Sequence, residues 1–319
     1  MTPVARRRAG VALAEVMVAM ALGMLVVLLA CAMLVLANGA YRLHSENVWL
    51  NDGGHYALDI IGQAVRQSAY VNWDDETAPA AYDPAASAAI AGLDAHSLAR
   101  GSAGIEFPLA PVANGSDVLA LRFGGSGAGA NGDGSAVNCA GFGVADGHAA
   151  DARGWSIFYV ANDAEGEPEL RCKYRSASGW GADAIVRGVE SFQVLYGVDL
   201  DTPPDGVPDT YLNASAVNAL DADLALTGDT PDEQQRDRNR KTYWKRVRTV
   251  RVALLLRGDA HSRPDGLPAL YDLFGAAYAD SHAGADPGVR VAEQAMAPAL
   301  QQRARRLFVA LFLLRNRSV

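Results

Sequence analysis

The chain has 319 residues, half of them hydrophobic, and a formal charge of −8. That balance argues against a nucleic-acid partner, because a phosphate footprint needs clustered Lys and Arg. The length allows one large domain or two modest ones beyond any anchor. The first element in chain order is an apolar run, entered through RRRAGVALAEVMVAM (residues 6–20), with no charge at all from 16 to 41. As a helix it is long enough to cross a hydrocarbon core of about 30 Å. Arg6, Arg7 and Arg8 before it keep the N-terminus cytoplasmic and put the body outside. Glu15 lies inside the start of this run, where a carboxylate at the bilayer centre costs about 2.5–3.5 kcal/mol and less near an end. A cleaved secretory signal has a shorter apolar core. A lipoprotein reading of LLAC (28–31) is opposed by the apolar AMLVLA that follows Cys31. A plain uncut anchor leaves Glu15 unexplained.

Basic leader, Gly10, then an apolar helix with Glu at its fifth position resembles the class III signal of type IV prepilins. The resemblance implies cleavage by prepilin peptidase between Gly10 and Val11, followed by methylation of the new N-terminus. Val11 stands where that family usually has Phe. Glu15 would pair with the freed amine of a neighbouring subunit and so register the helix, since buried charges are tolerated when paired.

Beyond residue 41, Leu43, Asn47, Leu50, Gly54, Leu58, Ile61 and Val65 form one stripe at helical spacing. A helix from 11 to about 70 would be roughly 90 Å long. Gly53-Gly54 is its weak point, a site for a kink or for a loop between two helices. Residues 74–104, rich in Ala, Asp and Pro, read as irregular or weakly helical. DVLALRF (117–123), WSIFYV (155–160), ELRCKYR (169–175), the end of AIVRGVESFQVLYGVD (184–199) and RVRTVRVALLLRG (246–258) read as strands. RRLFVALFLLRNR (305–317) has an uncharged core of eight residues, too short for a second membrane span and suited to a buried strand. Residues 211–240 and 259–302 are long insertions between strands. One long helix followed by many strands predicts an α+β body with a largely antiparallel sheet. Cys139 and Cys172, in a chain with an export-like N-terminus, suggest one disulfide.

YALDIIGQAVRQSAY (56–70), GVESFQVLYGVDLDTPPDGVPDTYL (188–212), VRVALLLR (250–257) and RRLFVALFLLRNR resemble the PilW-type minor pilins of Gram-negative type IV pili. The resemblance implies a pilin-like fold, with a long N-terminal helix packed on a β-rich head. It also implies a low-abundance subunit that helps initiate assembly with other minor and major pilins, near the filament tip. The expected divisions are a leader (1–10), a membrane and pilus-core helix (11–41), an amphipathic second half (42–73) and a periplasmic head (74–319). The chain would be single-pass in the inner membrane. Two rivals remain: a minor pseudopilin of type II secretion, and a membrane-anchored periplasmic binding module.

Little chemistry of other kinds is legible. Asp199, Asp201, Asp205 and Asp209 are hard oxygen ligands for calcium at close spacing, but lack the EF-hand pattern and equally suit a polar turn. The six histidines are scattered, no nucleophile elbow occurs, and GGSGAGANGDGSAVN (124–138) lacks the Gly-Lys-Ser/Thr ending of a phosphate loop. No catalytic residue and no cofactor is expected.

Overall fold

The computed structural model describes residues 12–71, 83–129, 131–146, 153–176, 178–260, 262–263 and 267–316. The chain forms two compact units, Met1–Val48 and Trp49–Val319. One helix, α1 (Leu13–Gln67), contributes to both. In the first unit it is clothed in exposed apolar side chains, among them Met17, Leu22, Leu29 and Leu36. It is long and apolar enough to cross a membrane.

In the second unit, residues 49–67 of α1 bury Leu50, Ala57, Ile61, Ala64 and Val65. Of the stripe read from the sequence, Gly54 is buried as well, Leu58 is half-buried and Asn47 is exposed, while the Leu43 side chain lies outside the described residues. Gly53-Gly54 neither kinks the helix into two nor ends it. The reason is packing: a β-carbon on Gly54 would overlap the Phe308 ring, and one on Gly62 would come within 2.6 Å of Phe312. Eight helical residues rise roughly 12 Å and four strand residues roughly 13 Å, so two glycine notches and two aromatic knobs fall in register. The loss of helix propensity, up to about 1 kcal/mol per Gly, is offset by the contacts of buried Phe308 and partly buried Phe312. The helix stops earlier than expected, at Gln67, where Ala69 turns into the left-handed region (φ 58°) and its N–H donates to the Arg122 carbonyl at 2.9 Å. Asn316 Nδ2 donates to the Ser68 and Arg66 carbonyls at 3.0 and 3.3 Å. These are two of the acceptors that a helix end leaves unsatisfied.

The strands follow as β1 (Ile90–Leu93), β2 (Ser97–Leu98), β3 (Pro108–Leu109), β4 (Val118–Phe123), β5 (Gly154–Asn162), β6 (Pro168–Ser176), β7 (Gly179–Arg187), β8 (Val189–Val198) and β9 (Thr210–Leu212). Then come α2 (Ala214–Ala222), α3 (Pro231–Lys241), β10 (Val247–Arg257), β11 (Leu270–Asp272), α4 (Ala276–His282), β12 (Arg290–Ala292) and β13 (Arg305–Leu313). The described sheets are antiparallel: one of five strands in the order β1-β4-β5-β6-β7, one of four in the order β13-β10-β8-β9, and two ribbons. The main core combines the helix residues with Leu121, Phe158 and Leu170 of the larger sheet and Phe192, Val252, Leu254 and Phe308 of the smaller. The α+β class is therefore as expected.

Two local expectations need correction. Residues 74–104 are not irregular throughout, since 90–93 and 97–98 are strands; their apolar positions are largely Ala, Gly and single Leu, too weak a pattern to read. The strand expected at the end of 184–199 is β8, and the start of that stretch belongs to β7, which breaks from it at Gly188 (φ 74°), where a β-carbon would come within 2.6 Å of the Arg257 carbonyl. Finally, β13 is an edge strand, not a buried one. Phe308 and Phe312 face the helix while Val309, Leu311 and Leu313 are exposed.

The insertions cover the outer sheet faces. Leu273, Phe274, Val289 and Val291 pack on Leu195, Ala253 and Leu255, and Leu98 with Ile105 packs on Val118, Ile157 and Tyr159. Burial on both faces explains why β8 is buried along its whole length. Within 211–240, α2 carries Asn218, which accepts from the Trp244 indole at 2.8 Å, and Asp221, which accepts the Tyr243 N–H at 2.7 Å. At one end of the smaller sheet, a β-bulge between Leu255 and Leu256 leaves Glu190 as the extra residue. Its buried carboxylate meets Arg257 Nη1 at 3.0 Å and Arg305 Nη2 at 3.1 Å. Arg305 Nη1 also reaches Glu293 at 3.2 Å, and Glu293 is held from its other oxygen by Arg263 at 2.7 Å.

Candidate functional site

The residues with an expected role lie in separate places. Glu15 is in the first turn of α1, where a negative charge is favoured by the helix dipole. The Ala12 N–H donates to Glu15 Oε2 at 3.2 Å, and the Glu15 and Val16 N–H groups donate to the Ala12 carbonyl at 2.9 and 3.3 Å. The carboxylate thus closes the helix start three residues behind itself. Gly10 and Val11, the expected processing positions, lie outside the described residues. Cys31 is a free, exposed thiol in the middle of the helix. Beyond Glu15, the run to Tyr41 has exposed apolar side chains and no charge, a surface matched to lipid or to like helices.

Cys139 and Cys172 form the expected disulfide, with Cα atoms 5.9 Å apart and a sequence separation of 33. Cys172 sits fully buried in β6, while Cys139 belongs to the segment between β4 and β5. That segment is shaped locally: Asn138 Oδ1 accepts the Ala140 and Phe142 N–H groups at 3.0 and 3.2 Å. The Cys139 N–H donates to Ser156 Oγ of β5 at 3.0 Å. The bridge therefore pins a glycine-rich loop to the sheet beside Asp59, Ile60 and Gln63 of α1. Changing Cys139 and Cys172 together to Ser is expected to lower stability by about 3.5–4 kcal/mol, the chain-entropy value for a loop of this size. Urea unfolding of the purified protein measures it, and a loss below about 1 kcal/mol would mean that the bridge constrains nothing.

In the turn after β8, three of the four expected aspartates converge. Oxygens of Asp199, Asp201 and Asp209 lie within 4.8 Å of one another. Asp205 is not among them; it accepts the Val207 N–H at 2.7 Å. Burial works to raise the Asp199 carboxyl, but the Gly206 N–H (2.7 Å) and Arg248 Nε (3.3 Å) outweigh it and hold it below the usual carboxylate range. Asp201 is raised, chiefly by the charge of Asp209. Arg248 already supplies a positive charge here, and a polar turn accounts for the arrangement. Among the described residues, no histidine joins a cluster of possible metal ligands.

Sequence reasoning missed the Glu190–Arg257–Arg305 group, whose members come from three strands, and the cap supplied by Asn316. It also missed a second carboxylate cluster, Asp94, Asp117 and Asp286. No spacing signal could have found it, because its members lie up to 192 positions apart, 94 against 286.

Comparison with known proteins bears on the second unit. The family model for Type IV Pilus-assembly protein W matches residues 157–316, half of the chain. The matched stretch runs from within β5 to Asn316 and so takes in Cys172, the aspartate turn, Glu190, Arg257 and Arg305. No match is found among curated proteins. Among solved structures, a type IV-like pilin from Thermus thermophilus is similar at 12% identity and a TM-score of 0.38, over 85% of this chain and 99% of its own. With the family model matching half of the chain, from within β5 through the whole four-stranded sheet to the capping asparagine, the chain belongs to the PilW family of type IV pilus-assembly proteins.

Proposed function

We propose that this protein is a minor pilin that takes part in initiating and assembling a type IV pilus, as a structural and non-catalytic subunit. In this reading prepilin peptidase cuts between Gly10 and Val11 and the new N-terminus is methylated. The apolar part of α1 holds the subunit in the inner membrane with its head in the periplasm. It then packs among the helices of other minor and major pilins, near the filament tip. The observation that carries the reading is the pairing, in one chain, of a Gly10/Glu15 leader with a PilW-family head. The same family match weighs against a secretion pseudopilin, which shares only the N-terminus.

The N-terminal mass of the protein purified from its own membrane tests it. A mature chain starting at Val11, with or without a methyl group, is the expected result. An uncut chain, a lipidated Cys31 or a start near Ala40 would sink the processing step. Unchanged pilus numbers after deletion of the gene would sink the assembly role.

A further inference from the structure

Asp94, Asp117 and Asp286 come from three distant segments: the turn after β1, the residue before β4 and the loop after α4. One carboxylate oxygen of each lies within 4.8 Å of the other two. Asp117 and Asp286 are each 2% exposed, and Asp94 beside them is partly buried. The groups that meet these carboxylates by hydrogen bond are dipoles. Asp117 accepts the Ala95 and Val194 N–H groups at 3.0 and 2.9 Å, and Asp94 accepts the Ala214 and Ser215 N–H groups of α2 at 2.8 and 2.7 Å. Asp286 accepts the Tyr278 hydroxyl at 2.9 Å, and the Asn213 side chain and the charge of His282 also work to lower its carboxyl against burial. None of the three makes an ion pair among the described residues. Burial pushes the Asp117 carboxyl well above its usual range, with the charge of Asp94 adding to it, and burial raises Asp286 too.

Two buried polar groups at this place lack a partner. Asp286 Oδ1 has none, and neither has the hydroxyl of Tyr196, a residue 1% exposed whose phenol feels the charges of both Asp117 and Asp94. Buried polar atoms without partners are uncommon and call for an explanation. The donor set is oxygen only, which selects a hard cation over zinc or copper. Calcium accepts dedicated all-protein oxygen cages, whereas magnesium dehydrates reluctantly and usually keeps several waters. The aspartate turn at Asp199 also leaves one buried oxygen, Oδ1, without a partner, but there Arg248 already supplies a counter-charge.

We propose that Asp94, Asp117 and Asp286 form a buried site for a hard divalent cation, calcium by its acceptance of an all-protein oxygen cage, with the Tyr196 hydroxyl close by against Gly92. The ion would tie the insertion that carries Asp286 to the first strands of the larger sheet and to the start of α2. The inference does not depend on the pilus assignment.

The test is thermal unfolding of the full-length protein in detergent, with calcium chloride against a chelator, and with magnesium as comparison. At a hundredfold excess over Kd, calcium is expected to raise Tm by roughly 4–8 °C. Terbium alone should give luminescence sensitised through Tyr196 and Tyr278, displaced by calcium. Asp286→Asn should lose both responses, and it should fold, since an amide relieves repulsion between the carboxylates. Asp201→Asn, in the other cluster, should keep both. Absence of any metal response in the wild type overturns the proposal without need of a variant. A response that survives Asp286→Asn and vanishes in Asp201→Asn overturns it as well, and moves the site to the turn. A higher Tm for Asp286→Asn in chelator with no metal response in the wild type would mean that the cluster shares a proton instead.

Discussion

Glu15→Ala is expected to cut incorporation of this subunit into sheared pili by at least about tenfold, while its amount in the membrane stays unchanged. The expectation rests on the proposed pairing of the Glu15 carboxylate with the freed amine of a neighbouring subunit. Inside a helix bundle, an amine that loses its partner is an unpaired buried charge, and breaking such a pair costs about 3–5 kcal/mol. Tenfold needs only 1.4 kcal/mol, so the figure is a lower bound. The Ala12 N–H would also lose its acceptor, but at a helix start open to solvent that loss is small. Glu15→Gln separates the two effects: it keeps an oxygen for the Ala12 N–H and removes the charge. Normal incorporation of the Gln variant would show that the charge does not register the helix. A fall in membrane level for either variant would point to insertion rather than assembly.

Arg305→Ala is expected to destabilise the second unit by about 3–5 kcal/mol, because it leaves the buried carboxylates one positive charge short. Glu190 keeps Arg257 and Glu293 keeps Arg263, yet both lose the cation that joins them. Arg305 is wholly buried and also donates to the Leu300 and Arg303 carbonyls, so those acceptors are left open as well. For a unit of this size the loss corresponds to a fall in Tm of roughly 10 °C. Adding Glu190→Gln should recover part of it, since it removes the one uncompensated negative charge. A single-variant loss below about 1 kcal/mol in urea unfolding would remove the network from any account of stability. Acid should act on the same group. Burial works to raise Glu293, but hydrogen bonds from Ala269, Arg263 and Gln302 hold it below its usual range. Its contribution is complete above the unfolded value of about 4.3 and is lost as pH falls through the lower folded value.

The parts of this molecule that were legible in the sequence are those written in local pattern. Glu15 stands out because it interrupts an apolar run, Val118–Phe123 because it is a short apolar run, and Val247–Arg257 because β-branched residues gather in it before Gly258. The two body cysteines pair as the export-like N-terminus suggests. Legibility fails where the decisive partner is remote. Gly54 looks like a breaker until Phe308, 254 positions later, is seen to need the space. The run 307–314 looks buried because it carries no charge, yet only Phe308 is fully covered and its alternate residues face outward at a sheet edge that composition cannot distinguish from a centre. Glu190 reads as one more polar residue in a strand, since only the bulge aims it at two arginines. The carboxylates at 94, 117 and 286 share no neighbourhood in the sequence at all.

The equal spacing of notches and knobs between α1 and β13 has a mechanical consequence within the second unit. A pull along the axis of residues 49–67 reaches Phe308 and Phe312 together, because eight helical residues and four strand residues cover nearly the same length. Neither ring can slip out ahead of the other, so the two contacts share a load instead of failing in turn. From β13 the force passes across its hydrogen-bonded ladder with β10, which runs from Thr249 to Arg257, and the whole four-stranded sheet resists as one plate. A subunit held by its helix in this way is built for tension in shear, with the amide of Asn316 acting as a latch where the helix ends.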